Sequence, residues 1–478
     1  MDRRALAEKL GAIVGPENVL WQDYDLVLYE YDGSIDRSRP HAVVFPATAE
    51  QVAEVVRLCA REGIPCTARG AGTGLSGGAI PLAGGVLLIF SRMNRILEVD
   101  VENLRAVVEP GVVNLHLSQA IAATGLQYIP DPSSQKACTI GGNVGENSGG
   151  PHTLLYGVTT NHVVGLQFVT NEGEIIEVGG KALDPPGYDL TGLIVGSEGT
   201  FGIVTRIIVR LSPIAEAVKT LLAVFDRVED ASAAVSGVIA AGIIPSAIEM
   251  MDNLAIQAVE AAVHAGYPTD AGAVLLIEVD SLAEGVDEQV EAVSAICRQW
   301  HAREIRVART AKERNLLWLG RKGAFGAMGR ISPDFYTMDG CVPRDKLPEV
   351  LERIAAIGQR YGIRIANVFH AGDGNLHPLV LFDAEKPGEE EKVRQMGYEI
   401  LAVCAEAGGA LTGEHGIGVE KREMMCLTFT GDDIDWMHRV KEAFDPAGMF
   451  NPGKIFPTPG RCWNPEPRRT GRIAAVGW

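Results

Sequence analysis

The stretch IPCTARGAGTGLSGGAIPLAGGVLLIF, residues 64–90, decides the fold. It contains Gly72-Thr-Gly-Leu-Ser-Gly77, a literal G-x-G-x-x-G. A dinucleotide-binding fold requires a helix to open at those glycines, so that its N-terminus meets the pyrophosphate. Here Pro81 and Gly84-Gly85 follow instead, and then the apolar strand Val86–Phe90. The Rossmann reading fails. What survives is a loop of closely spaced backbone N–H groups in tight turns, a nest able to hold a pyrophosphate.

Upstream, residues 41–68 read as a β-α-β unit. His41–Phe45 is a strand ended by Pro46, and Thr48 with Gln51 forms a capping box. The helix it opens carries Val52, Val55, Val56 and Cys59 on one face and stops at Gly63, before a strand at 64–68. Downstream come strands 96–100 and 106–109, a helix 114–124, and a second glycine-rich stretch, TIGGNVGENSGG, from Thr139 to Gly150. A hairpin turns at Asn171-Glu-Gly173, and GSEGTFGIVTRIIVRLSP closes this α+β domain near Pro213.

Beyond it the pattern is strand 220–225, helix 228–241, strands 246–250 and 273–279, helix 285–300 and strand 304–308. That order predicts a ferredoxin-like layer with helices on one face of an antiparallel sheet. A helix near 310–328, a strand 336–341, a helix 344–361, two strands within 363–382 and a helix 388–407 extend it. No fixed-period repeat is evident. The expected domains are an N-terminal helical segment 1–36, a nucleotide-binding domain 37–214, a substrate domain 215–430, a returning segment 431–460 and a basic tail 461–478, with partner docking as its less favoured alternative role.

Composition narrows the function. Fifty-five of 478 residues are glycine, seven of them between Gly70 and Gly85 and five between Gly141 and Gly150, which suggests backbone packed against a bulky ligand. A formal charge of −18 argues against a nucleic-acid groove. No apolar run reaches the ~20 residues that cross a bilayer, and the amphipathic start has no signal-peptide core, so the cytoplasm is the expected compartment. The eight cysteines, at 59, 66, 138, 297, 341, 404, 426 and 462, form no C-x-x-C and suit reduced thiols, not an iron–sulfur cluster. Electrons taken from a substrate would leave through a partner protein or carrier.

The chemistry concentrates in FHAGDGNLHP (369–378) and TGEHGIG (412–418). His370 and His377 flank a tight turn, and Glu414 and His415 lie in a glycine-flanked bend. Two imidazoles and a carboxylate suit Zn²⁺, Fe²⁺ or Mn²⁺ with positions left open. Isolated histidines are more often ordinary core or turn residues; three of them in two glycine-punctuated turns, one beside a glutamate, point the other way. A 2-hydroxy acid chelating that cation would lose its hydroxyl proton to His415 and its C2 hydride to an electrophilic ring such as a flavin. Arg321 on the helix before the sheet suits the substrate carboxylate, with Lys322 or Arg330 as a second anchor.

The motifs RGAGTGLSGGA, PDPSSQKACTIGGNVGENSGGP, GLIVGSEGTFGIVT, WLGRKGAFGAMGRISPDFYTMDG, HAGDGNLHP, GEHGIG and FDPAGMFNPGK run in order from about Pro40 to Pro457. In this the chain resembles the glycolate oxidase flavoprotein subunit and D-lactate dehydrogenase branch of the vanillyl-alcohol oxidase (p-cresol methylhydroxylase-type) FAD family. The resemblance implies a two-lobed FAD-binding domain and a ferredoxin-like cap; distant relatives attach the flavin covalently through His or Tyr, but no attachment residue stands out here, so dissociable FAD is expected. It implies that Arg69, Gly70, Ala71, Gly72, Thr73, Gly74, Leu75, Ser76 and Gly77 cradle the pyrophosphate. Asp131, Pro132, Ser133, Thr139, Gly142, Asn143, Asn147 and Ser148 would line the flavin, with Glu198 and Ile203 towards the adenine. Asn375 would stand near the isoalloxazine ring, and Asn451 would fold back onto the FAD domain. It also implies His370, His377 and Glu414 as metal ligands, His415 as base, and an iron–sulfur or electron-transfer flavoprotein partner. Where relatives for 2-hydroxyglutarate carry a lysine, this chain has Thr337, which favours a short substrate such as D-lactate or glycolate. Two other readings fit the same fold: a non-redox flavin transferase of the alkylglycerone-phosphate synthase type, which needs a basic phosphate cluster, and a non-catalytic flavin-binding subunit.

Overall fold

Thr48 and Gly63 bracket the helix Ala49–Glu62 as their chemistry requires. Thr48 Oγ1 accepts the N–H of Gln51, and Gly63 takes φ +64°, a left-handed turn that costs glycine nothing. The helix buries Val52, Val55, Val56 and Cys59 together with Leu6, Leu10 and Val14 of the first helix, Arg3–Val14. Each such side chain contributes roughly 1.5–3 kcal/mol on leaving water. The structure is a computed structural model, and it describes residues 2–182 and 186–462. The expected tail therefore lies, from residue 463 onward, outside the described residues.

The chain separates into two units. The first comprises Met1–Gly149, Gly157–Ile214 and Glu414–Trp478. It holds a sheet of β1 (Val19–Leu20), β2 (Ala42–Val44), β3 (Cys66–Arg69) and β4 (Val86–Ile89) in the order β1-β2-β4-β3, with β2, β4 and β3 parallel. A second, antiparallel sheet uses β5 (Ile96–Asp100), β6 (Arg105–Val108), β8 (Val163–Val169), β9 (Ile175–Gly179) and β10 (Ile203–Arg210), in the order β5-β6-β10-β8-β9. The short strands β7 (Leu126–Gln127) and β11 (Ser212–Pro213) pair separately. The predicted β-α-β unit and hairpin are thus present. The second glycine-rich stretch is a helix, Ile140–Glu146, capped by Thr139 and packed through Ile140 and Val144 on the antiparallel sheet's core.

Residues 449–451 return to β3. The N–H of Cys66 donates to Met449 O at 2.9 Å, and that of Asn451 to Cys66 O at 2.8 Å. One cysteine expectation is corrected here: Cys426 and Cys462, with Cα atoms 6.0 Å apart, form a disulfide. They stand 36 positions apart with no motif joining them. The chain fold, not local spacing, brings the pair within bonding range. The other six cysteines are thiols.

The second unit comprises Gly150–Tyr156 and Ala215–Gly413. Its seven strands are β12 (Ala217–Phe225), β13 (Ala247–Asp252), β14 (Ala273–Ser281), β15 (Glu304–Val307), β16 (Asp334–Thr337), β17 (Ile365–His370) and β18 (Pro378–Phe382). The order β15-β12-β14-β13-β17-β18-β16 is antiparallel throughout. Its first four strands have the predicted ferredoxin-like arrangement. The last three repeat the same strand order, without the helix Asn253–Val263 that the first half places between β13 and β14, and the halves join edge to edge through β13 and β17. A structural repeat is therefore present where no sequence period is visible.

The expectation of helices on one face alone is corrected. Helices Asn253–Val263, Ala311–Lys322 and Ala324–Met328 share a core with Leu222, Val224, Met251, Val274 and Leu276, so they cover one face. Strand alternation sends Leu221, Ala223, Met250, Leu275 and Ile277, all buried, to the other face, where Val228–Ala240 and Val286–Gln299 pack. A sheet buried on both faces explains strands as uniformly apolar as AVLLIEV. The helix expected near 310–328 breaks at Gly323, and the strand expected at 336–341 lies at Asp334–Thr337. Among the described residues no helix is long and apolar enough to cross a membrane.

Candidate functional site

In the first unit β3 ends at Arg69 and the glycine loop begins. The Arg69 guanidinium donates to Tyr31 O at 2.6 Å and folds over Gly72, where a Cβ would stand 2.1 Å from its Nη2. Gly72 also has φ +71°, so both space and conformation demand glycine. From behind, the Lys454 ammonium donates to the carbonyls of Gly77 and Ile80, both at 2.6 Å, and of Gly78 at 3.1 Å. Asn451 Nδ2 donates to Gly78 O and Glu198 O at 2.9 and 2.7 Å. The loop is held by its carbonyls.

Beside it, Thr139 Oγ1 accepts the Gly142 N–H at 3.2 Å, and Asn143 Oδ1 accepts from Asn114 at 3.2 Å. Asn147 and Glu198 take left-handed backbone angles of +54° and +52°. Among the described residues, and apart from the adjoining backbone, no atom comes within 4 Å of a Cβ built on Gly74 or Gly145, which leaves room against the backbone for a bulky group. Glycine spacing, open backbone and a clamped loop fit FAD. Arg69–Gly77, Asp131–Ser133, Thr139, Gly142, Asn143, Asn147, Ser148, Glu198, Ile203 and Asn451 all fall in this unit.

Sequence reading missed Lys454, whose place in FNPGK is the signal for it. It also missed Glu146. Burial and the neighbouring Glu198 push the Glu146 carboxyl well above its usual range, while Glu198 accepts the N–H groups of Ile417 and Gly418, both at 2.7 Å.

In the second unit a row of polar side chains ends the apolar core. Strand registers align it: Thr220 faces Glu278, Glu249 faces His370, and Thr337 faces Leu379, two residues beyond His377. His370 closes β17, and its backbone exchanges two hydrogen bonds with Asn375 across the Ala-Gly-Asp-Gly turn, each 3.2 Å. Gly374 is required there. It has φ +80°, and a Cβ would stand 2.1 Å from Val342 O. The rings of His370 and His377 lie 5.0 Å apart, edge to face.

Glu249, unnoticed in the sequence, organises this cluster. Its Oε1 lies 2.8 Å from His370 Nδ1 and its Oε2 2.5 Å from Arg321 Nη2. Burial would raise this carboxyl, but Arg321 and His370 beside it hold it below the ordinary value. With the proton on Nδ1, the His370 Nε2 lone pair becomes the ligating position. Arg321 is 1% exposed, yet Nε, Nη1 and Nη2 have no well-directed hydrogen-bond acceptor among the described residues. The Thr337 hydroxyl is likewise buried without a hydrogen-bond partner among the described residues. Fully buried Asp339 accepts from Asn375 Nδ2 at 2.8 Å, Thr412 Oγ1 at 2.5 Å and Gly413 N at 3.1 Å, with His377 Nε2 3.4 Å away.

The remaining expected residues are placed differently. Lys322 lies over the Trp318 ring, 5.7 Å from its centroid, and Arg330 is exposed. Trp318 Nε1 and Thr220 Oγ1 donate to Glu278, each at 2.6 Å, and His152 Nε2 approaches it at 3.2 Å. Glu414 and His415 begin the first unit's last segment, one and two residues after Gly413.

Comparison with known proteins finds two family models along the chain. Residues 40–179 match the family model described as FAD binding domain, and 214–455 that of FAD linked oxidases, C-terminal domain. The chain is 50% identical to glycolate oxidase subunit GlcD of Escherichia coli K12, covering 97% of this chain and 93% of that protein. The Bacillus subtilis protein of the same name is 42% identical, covering 95% and 97%. D-lactate dehydrogenase of Archaeoglobus fulgidus is 33% identical, covering 89% and 95%. Among solved structures, p-cresol methylhydroxylase superposes with TM-score 0.81 at 19% identity, covering 95% and 97%. Alkyldihydroxyacetonephosphate synthase superposes at 0.73 with 18% identity, covering 94% and 84%. At such identities the structures establish the fold alone. The matched models and the near full-length relatives together make this chain a FAD-dependent oxidoreductase of the FAD-linked oxidase family, in the branch of the glycolate oxidase subunits and D-lactate dehydrogenases.

Proposed function

We propose that the protein oxidises a short D-2-hydroxy acid, D-lactate or glycolate, to the 2-oxo acid. The observation that carries this reading is Arg321, a buried guanidinium whose Nη2 pairs with Glu249 and whose Nε and Nη1 have no acceptor among the described residues, joined through Glu249 to His370. A buried cation with open donors is suited to a carboxylate, which it can take in two parallel hydrogen bonds. With Lys322 over an indole and Arg330 exposed, one guanidinium carries the anchor. The buried hydroxyl of Thr337, in place of a longer cation, favours a substrate with no second carboxylate.

His370, His377 and Glu414 would hold a divalent cation, Zn²⁺, Fe²⁺ or Mn²⁺. When bound, the cation supplies Lewis acidity towards the substrate hydroxyl and FAD supplies a hydride acceptor. His415 would take the hydroxyl proton on an imidazole nitrogen, the side-chain type that most often serves as a general base. Asn375, held by Asp339, would fix a polar group at the reacting end. The nucleotide would lie along Arg69–Gly77, with Asp131–Ser133 and Thr139–Ser148 towards the ring and Glu198, Ile203 and Asn451 beyond. The word subunit in the GlcD names supports an electron-accepting partner, an iron–sulfur protein or an electron-transfer flavoprotein.

Anaerobic addition of D-lactate or glycolate to metal-loaded holoprotein should bleach the flavin band near ~450 nm. His415→Ala should slow bleaching by roughly 10²–10⁴-fold while FAD stays bound. An unchanged spectrum with every short 2-hydroxy acid would sink the reading; unchanged reduction kinetics in His415→Ala would remove His415 as the base.

A further inference from the structure

Two buried glutamates face the helix Ala311–Lys322, and they differ in one respect. Glu278 is saturated: Thr220, Trp318 and His152 surround both its oxygens. Glu249 is not. Its Oε1 engages His370, but its Oε2, beside Arg321, has no well-directed donor, and both side chains are 1% exposed. One carboxylate thus serves two neighbours. Its charge raises the ligand strength of His370 and compensates a guanidinium that would otherwise stand alone in the core.

We infer that Glu249 is a positioning residue, a shared counter-ion that strengthens cation binding through His370 while restraining the affinity of Arg321 for anions. The inference rests on the proposed roles of His370 and Arg321. The two effects must have opposite signs when the charge is removed. A neutral partner weakens the imidazole as a donor, as loss of such outer partners typically does by roughly 10–100-fold. The same change leaves Arg321 uncompensated, so an external carboxylate gains. That gain also limits wild-type retention of a carboxylate product, since Glu249 competes for the same guanidinium.

The test uses the full FAD-loaded chain and its Glu249→Gln variant, with Zn²⁺ titrated against a fluorescent chelator. Propionate, which has the carboxylate but no chelating hydroxyl, is titrated by calorimetry into metal-free protein. The expected result is a Zn²⁺ affinity lowered roughly 10–100-fold and a propionate affinity raised at least roughly threefold. Zn²⁺ affinity within about twofold of wild type, or both affinities falling together as a merely structural role predicts, overturns the inference. Glu249→Gln with Arg321→Met removes both charges and guards against misfolding. It should keep the weakened Zn²⁺ site and lose propionate binding; a Zn²⁺ affinity restored to wild type in it also overturns the inference. If wild-type protein takes up no Zn²⁺, the metal reading fails by itself, and the propionate arm still decides for or against the shared counter-ion.

Discussion

Lys454 buries an ammonium among three carbonyls of the glycine loop, and burial pushes its pKa down from 10.5 to about 8. Glu198, Asp32 and Glu146 oppose that shift without cancelling it. Above pH 8 the folded chain has released this proton while the unfolded chain keeps it up to 10.5, so the unfolded state binds more protons and stability must rise with pH. Over the full window the gain is about 3 kcal/mol. Urea midpoints of wild type and Lys454→Met at pH 7, 9 and 10 check it. The wild type should gain on the variant from pH 8 upward and show a constant difference below; a difference shrinking with pH refutes the assignment.

At the scale of elements, the helix Ile140–Glu146 is weak by composition, with three glycines in seven residues, each costing about 1 kcal/mol against alanine. It stands on the Thr139 cap and on Ile140 and Val144. Thr139→Ala should cost about 1 kcal/mol and loosen FAD several-fold, and Thr139→Ser should restore both. Thermal melts and FAD titrations of the apoprotein measure this; unchanged FAD affinity in Thr139→Ala separates the cap from the cofactor. The same helix marks where sequence reading stops. Capping and periodicity identify Ala49–Glu62 because its signals are local. TIGGNVGE carries too little periodicity and too much glycine to declare a helix, which only packing stabilises. The site divides likewise. His370 and His377 are legible because both lie in one punctuated turn, and Arg321 because its helix is. Glu249 sits in Ala247-Ile-Glu-Met-Met251, a run read simply as a strand. A lone ionisable residue within a buried strand is the signal that could have found it, but its partners lie 72 and 121 residues away. Asp339 and the Cys426–Cys462 pair are hidden for the same reason.

For the whole molecule, chain path matters more than any motif. The first unit begins at the N-terminus, yields to about two hundred residues of the second, and resumes at Glu414. Its parallel sheet and glycine loop are completed by Met449–Lys454, which reach back to Cys66 and to Gly77–Ile80. Such long-range closure is slow, because loop entropy is spent before contacts return it. A chain ending at Phe444 keeps every glycine of the loop and both histidines of the HAGDGNLH turn. It should nevertheless retain no FAD after gel filtration, whereas the complete chain stays yellow; a yellow truncated protein would refute the dependence.

The return of Met449–Lys454 also has a meaning in time. Translation delivers the nucleotide loop well before its clamp, so flavin capture waits until Met449–Lys454 have left the ribosome. Ribosome-bound chains arrested before residue 449 should carry none.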